Sequence, residues 1–200
     1  MRAVPMPALF CLALALGVGP AAVWAAVPAA PAPPKAPYTR KSVCPLECCT
    51  FGAWTARAPL QVYQRPAGNA AKTFTLQSGE TFQALSGDLQ TLQLGFVMVL
   101  RPFQKQGKRF EPGDIFYILS YQAWDHLIWQ KGQILGVPAF WGTGGDPDRE
   151  TALLKAEPVM VWWVQVRNGA GQTGWLPLQL RRSADGMAVA EEIEDMNDCG

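Results

Sequence analysis

Between Trp54 and Leu180 the apolar residues come in short runs that alternate with polar positions, and glycine, proline and polar turns separate the runs. Successive side chains of a strand point to opposite faces, so this alternation predicts strands with one face in a core. The clearest pair is Val161-Trp162-Trp163-Val164-Gln165-Val166-Arg167 and Gln172-Thr173-Gly174-Trp175-Leu176-Pro177, joined by Asn168-Gly169-Ala170-Gly171, which reads as a β-hairpin. Trp162, Val164 and Val166 share the core face, while Trp163, Gln165 and Arg167 take the other. If the Trp163 ring faces a groove, truncating Val166 should cost more stability than truncating Trp163, and equal large losses would make Trp163 core. Gly174 fits a bend or a close backbone approach, and Pro177, with no N–H to give, fits a strand end.

Upstream, Leu60-Gln61-Val62-Tyr63 alternates, Arg65 to Asn69 makes a loop, and Phe74-Thr75-Leu76 resumes. An internal repeat follows: Gly79-Glu80-Thr81-Phe82-Gln83-Ala84-Leu85-Ser86 recurs as Gly113-Asp114-Ile115-Phe116-Tyr117-Ile118-Leu119-Ser120. Each copy leads to another apolar run, Gly95 to Leu100 after the first and His126 to Trp129 after the second. No run has the length and period of a sustained helix, although Arg149 to Lys155 suits a turn or two and Ala188 to Met196 a short C-terminal helix packed by Val189, Ile193 and Met196. The pattern predicts an all-β fold, a small barrel that is elaborated or internally duplicated, with the loop Trp141 to Asp148 as its most mobile segment.

The first 25 residues read as a cleaved signal peptide: Arg2 is the positive start, Ala8 to Val18 is too short to span a bilayer, and Val23-Trp24-Ala25 ends in a small residue. Residues 26–43 form a proline- and alanine-rich linker, 44–182 the folded domain and 183–200 an acidic tail. Loss of Arg2 lowers the net charge from +1 to 0, which argues against nucleic acid, since that affinity comes from clustered basic residues. Export places the protein in the periplasm or outside the cell, where cysteines oxidise. Without Cys11 four remain, Cys44, Cys48, Cys49 and Cys199, implying two disulfides. Cys44 pairs with Cys48 or Cys49, and the other holds Cys199. One histidine, His126, and no Cys-x-x-Cys give no metal site, and nothing in the chain calls for a cofactor.

Trp163 to Arg167 followed by Gly171 to Pro177 resembles the closing half of the bacterial SH3-like (SH3b) domains of exported proteins, and Leu60 to Gly68 with Leu76 to Phe82 is similar to their opening half. The resemblance covers roughly residues 58–88 and 161–180. The stretch Gly87 to Pro158 departs from a single such domain, so either two barrels are interleaved or one is elaborated. The resemblance implies an SH3-like barrel and a noncatalytic module that binds peptide or peptidoglycan. By position, Trp163 and Pro177 fall where SH3 grooves are lined, Leu180 stands where many peptide-binding members keep a tyrosine, and Tyr63 replaces the family's usual arginine.

The expected ligand is cell-wall glycan or peptide, or an envelope protein, met by an aromatic face drawn from Tyr63, Trp124, Trp129, Trp141, Trp163 and Trp175 with Pro177. Two other readings compete with it. A small secreted hydrolase would use His126 as base, beside Asp125, with Ser120 or a cysteine as nucleophile. A structural scaffold subunit of the envelope would need neither ligand nor turnover.

Overall fold

A computed structural model describes residues 31–105, 107–122, 125–138, 151–182 and 188–196. Among them there is no helix. The strands are β1 (Tyr38–Arg40), β2 (Ala53–Ala56), β3 (Leu60–Tyr63), β4 (Lys72–Leu76), β5 (Thr81–Gln93), β6 (Gly95–Val99), β7 (Phe103–Lys105), β8 (Lys108–Phe110) and β9 (Ile115–Gln122). They continue as β10 (Asp125–Gln130), β11 (Gln133–Pro138), β12 (Ala152–Ala156), β13 (Val159–Arg167), β14 (Thr173–Gln179), β15 (Arg181–Arg182), β16 (Ala188–Val189) and β17 (Ile193–Glu194). The fold is all-β. Its larger sheet has the order β17-β2-β5-β13-β14-β3-β4, with β1 also on β5, and curls into half a barrel. The second sheet has the order β11-β10-β9-β6-β12, and β7–β8 and β15–β16 are separate ribbons.

The hairpin of the closing half is β13–β14, running in register from Val161↔Gln179 to Arg167↔Thr173. Asn168 closes its turn twice, taking the Gln172 N–H on its side-chain oxygen and giving its own N–H to the Gln172 carbonyl. Trp162, Val164 and Val166 are buried as the alternation requires. Trp162 packs 5.6 Å from Trp54, and both indoles are satisfied, Trp162 by the Val43 carbonyl and Trp54 by the Thr50 carbonyl. Gly174 is a close approach, since a Cβ there would lie 2.5 Å from Val62 Cγ1 and 2.8 Å from the Tyr63 carbonyl. Pro177 lies inside β14 rather than at its end. It is tolerated because β14 meets β3 only at Trp175↔Tyr63, leaving that edge of the strand open beyond.

The repeat extends into a nested duplication. In the first copy Gln77 N–H is held by the Glu80 carboxylate, Gly79 turns at φ 79°, and Ala56 exchanges backbone bonds with Gly79 and Glu80. In the second the Glu111 N–H is held by the Asp114 carboxylate, Gly113 turns at φ 88°, and Val99 takes the part of Ala56. The strands then match one for one. The spatial order β17-β2-β5-β13-β14 in one sheet corresponds to β12-β6-β9-β10-β11 in the other. Even the irregularity is copied: pairing shifts past Leu85 between Gln165 and Val166, and past Leu119 between Leu127 and Ile128. The second unit is thus inserted between β5 and β13 of the first, and buried side chains of both sheets join one core.

Three further sequence expectations differ from the structure. Leu153 and Leu154, placed in a helical turn above, lie in β12, which completes the second sheet against β6. Ala188 to Met196 is strand, turn and strand, not helix: β17 covers the open edge of β2, Ile193 and Met196 are buried, and Asp195 takes φ 61°, outside helical geometry. Tyr38 to Ser42, read as the end of the linker, belong to the sheet, where β1 pairs with Leu89 to Thr91, Lys41 Nζ contacts Asp88 Oδ2 at 2.5 Å and Ser42 gives its N–H to Asp88 Oδ1. Cys44 is bonded to Cys49, closing a link of five positions in sequence, and Cys48 is also disulfide-bonded. Cys199 lies outside the described residues, as do Trp124, the loop from Trp141 to Asp148 and residues 1–30.

Candidate functional site

The face of the large sheet opposite Trp162 carries three rows fixed by strand register. Gln90, Val161 and Gln179 stand side by side on β5, β13 and β14, Asp88, Trp163 and Pro177 form the next row, and Ser86, Gln165, Trp175 and Tyr63 the third. Cross-strand neighbours share a face, so these side chains project together. Tyr63, Gly68, Gln90, Leu92, Val161, Trp163, Pro177 and Gln179 line a groove of about 250 Å³ that opens to solvent.

Its chemistry is uncharged. Leu92, 48 % exposed, and Val159, 47 % exposed, extend an apolar wall at one end of β13. The nearest carboxylate, Asp88, is itself buried and is neutralised by Lys41 from the segment after β1. Tyr63 meets Trp163 edge to face with ring centres 6.0 Å apart. Trp163 is only 4 % exposed, so its ring offers little stacking surface, and its indole nitrogen is buried with no hydrogen-bond partner. A buried donor left unpaired costs about 1–3 kcal/mol. That contrasts with Trp54 and Trp162, both of which donate to carbonyls.

Of the residues singled out in the sequence, Tyr63, Trp163 and Pro177 meet in this groove, and half-buried Trp175 lies on the same face directly across from Tyr63. Trp129 belongs to the other sheet, nearly buried, 5.9 Å from the ring of Tyr117. Trp124 falls outside the described residues. Gln90, Gln179 and Leu92 are not marked by any motif, and Val161 is marked only as the first residue of the hairpin. Their signal is positional, two carboxamides flanking an apolar residue in adjacent strands, and it is visible only once β5 is known to pair with β13.

Among the described residues the constellation considered for a hydrolase does not come together. His126 stands opposite Tyr121 and Ser120 opposite Leu127, so Ser120 and His126 project to opposite faces of the second sheet. Both are buried, and the Ser120 hydroxyl donates to the Tyr121 carbonyl. Cys44, Cys48 and Cys49 are disulfide-bonded and carry no thiol. Among the described residues no three His, Cys, Asp or Glu side chains gather as a metal site. Comparison with family models, with curated proteins and with solved structures finds no match.

Proposed function

We propose that this chain is a noncatalytic, exported SH3-like binding module whose groove at Tyr63, Trp163 and Pro177 recognises cell-wall glycan or peptide, or an envelope protein. The observation that carries this reading is the convergence of Tyr63 with Trp163 and Pro177, paired across the β13–β14 hairpin, in one open groove whose described lining is uncharged. Open concave sites with apolar walls and a few polar groups are where ligands bind. The half-barrel built from the β13–β14 hairpin and the β3–β4 hairpin supports the SH3-like assignment, because those strands hold the residues of the resemblance. Bonded cysteines support an oxidising compartment.

The test is co-sedimentation of unreduced full-length mature protein with purified insoluble cell wall, alongside capture of crosslinked envelope proteins. Wild type is expected to sediment, and Tyr63→Ala and Trp163→Phe to sediment less while melting cooperatively. Equal behaviour of wild type and both variants in both assays would remove the groove from the function.

A further inference from the structure

The nested duplication supplies an internal control for the groove. In the first unit Trp163 stands between Asp88 and Pro177, and in the second the same place is taken by Asp125, between Gln122 and Pro138. The proline of the row is kept and the tryptophan is not. A sheet of this design therefore forms without an indole at that place, and the fold does not account for the unpaired Trp163 N–H. Nor does it account for Gln90 and Gln179, since strands disfavour neither a hydrophobic nor a β-branched pair there.

What would complete the site follows from its groups. The unpaired indole can only donate, so the ligand must bring an acceptor to it. Among the described lining residues no side chain is charged, which favours a neutral carbonyl over a carboxylate or phosphate as that acceptor. Leu92, Val161 and Pro177 surround it with apolar surface, which suits a methyl group beside the carbonyl. Gln90 and Gln179, on either side of Val161, each offer a paired donor and acceptor, the complement of neighbouring hydroxyls on a sugar ring. A proline-rich peptide needs exposed aromatic faces to lie on, and Trp163 at 4 % exposure gives none. The volume, below the ~300–1,000 Å³ of pockets that hold a whole drug-sized ligand, suits one group of a polymer.

Resting on the binding reading above, we propose that the groove recognises the acetamido group of an N-acetylated sugar in a glycan chain, with Trp163 Nε1 donating to its carbonyl. Because the nitrogen is buried, binding requires a neighbouring side chain to move aside.

The experiment titrates unreduced full-length mature protein with the β-1,4-linked N-acetylglucosamine tetramer, the corresponding glucose tetramer and a proline-rich peptide, following the assigned indole ¹H–¹⁵N resonance of Trp163. The acetylated oligomer should shift that resonance downfield and bind about tenfold more tightly than the glucose oligomer, and Trp163→Phe should lose about that factor. Gln90→Ala should weaken the acetylated oligomer without moving the Trp163 resonance of the free protein, which keeps the test valid if Trp163→Phe folds poorly. Equal affinity for the two sugars, or binding of the peptide alone, overturns the proposal. If neither sugar binds while cell-wall sedimentation still depends on Trp163, the acetamido assignment fails and the binding module stands; if sedimentation is also independent of Trp163, both fall.

Discussion

Trp163 and Val166 sit three positions apart on β13 and point to opposite faces, yet both are buried, at 4 % and 0 % exposure. The expectation that truncating Trp163 is the milder change is therefore reversed. Trp163→Ala should cost about 3–5 kcal/mol through the cavity it leaves, and Val166→Ala about 2 kcal/mol. Trp163→Phe keeps most of the packing and removes an unpaired buried donor, which offsets part of the lost volume, so it should cost less than Trp163→Ala. Urea unfolding of the three variants checks the order, and a Trp163→Ala cost below that of Val166→Ala would show that the ring is free in solution. The phenylalanine variant is accordingly the one to use as a functional probe.

The acid in each copied turn does the same local work, holding the N–H three residues earlier, but among the described residues only the second is also paired with a cation. Burial pushes the Asp114 carboxyl up, while the Lys131 hydrogen bond, the Glu111 N–H and the Lys131 charge together outweigh it and hold the group below its ordinary value of 3.8. Lys131 Nζ lies 2.7 Å from Asp114 Oδ1, tying the β10–β11 turn to the start of β9. A carboxyl whose folded value is lowered adds stability above its unfolded value and loses it as pH falls through the folded value. Asp114→Asn should therefore melt lower than wild type at neutral pH, and the gap should close on acidification below about pH 3.8. A gap that stays constant down to strong acid would mean that the carboxylate is not what holds this turn. The strands, the β13–β14 hairpin and the repeated turn were legible in the sequence because period-two alternation and turn glycines are local signals. β17 was not, because Ile193 and Met196 are three apart and fit a helix equally well until the bare edge of β2 is in view. The Gln90–Val161–Gln179 row was hidden for a similar reason: it exists only through long-range register.

At the scale of the molecule, the long departure between Gly87 and Pro158 is resolved by one unit sitting inside another, and the junction is short. Gln93 stands directly opposite Val159 at the end of the β5–β13 ladder, so the chain leaves and re-enters the first sheet at neighbouring points. Facing residues of an antiparallel pair are about 5 Å apart, a gap that a two-residue hairpin turn closes. Replacing residues 94–158 with Asn-Gly should therefore leave the eight-stranded sheet connected and the described lining of the groove in place, since those residues lie outside the excised stretch. The excision carries a cost. The Thr91 hydroxyl donates to the Leu119 carbonyl, Arg40 reaches Ser120, and the two units share one core, so apolar surface now buried would face water. The shortened protein should fold with a lower melting temperature and, on the binding reading proposed above, still sediment with cell wall in a Trp163-dependent way. Near-ultraviolet circular dichroism reads the first and co-sedimentation the second. Loss of the aromatic signal would show that the two sheets form a single cooperative core and that the inserted copy is needed to build the groove it does not line.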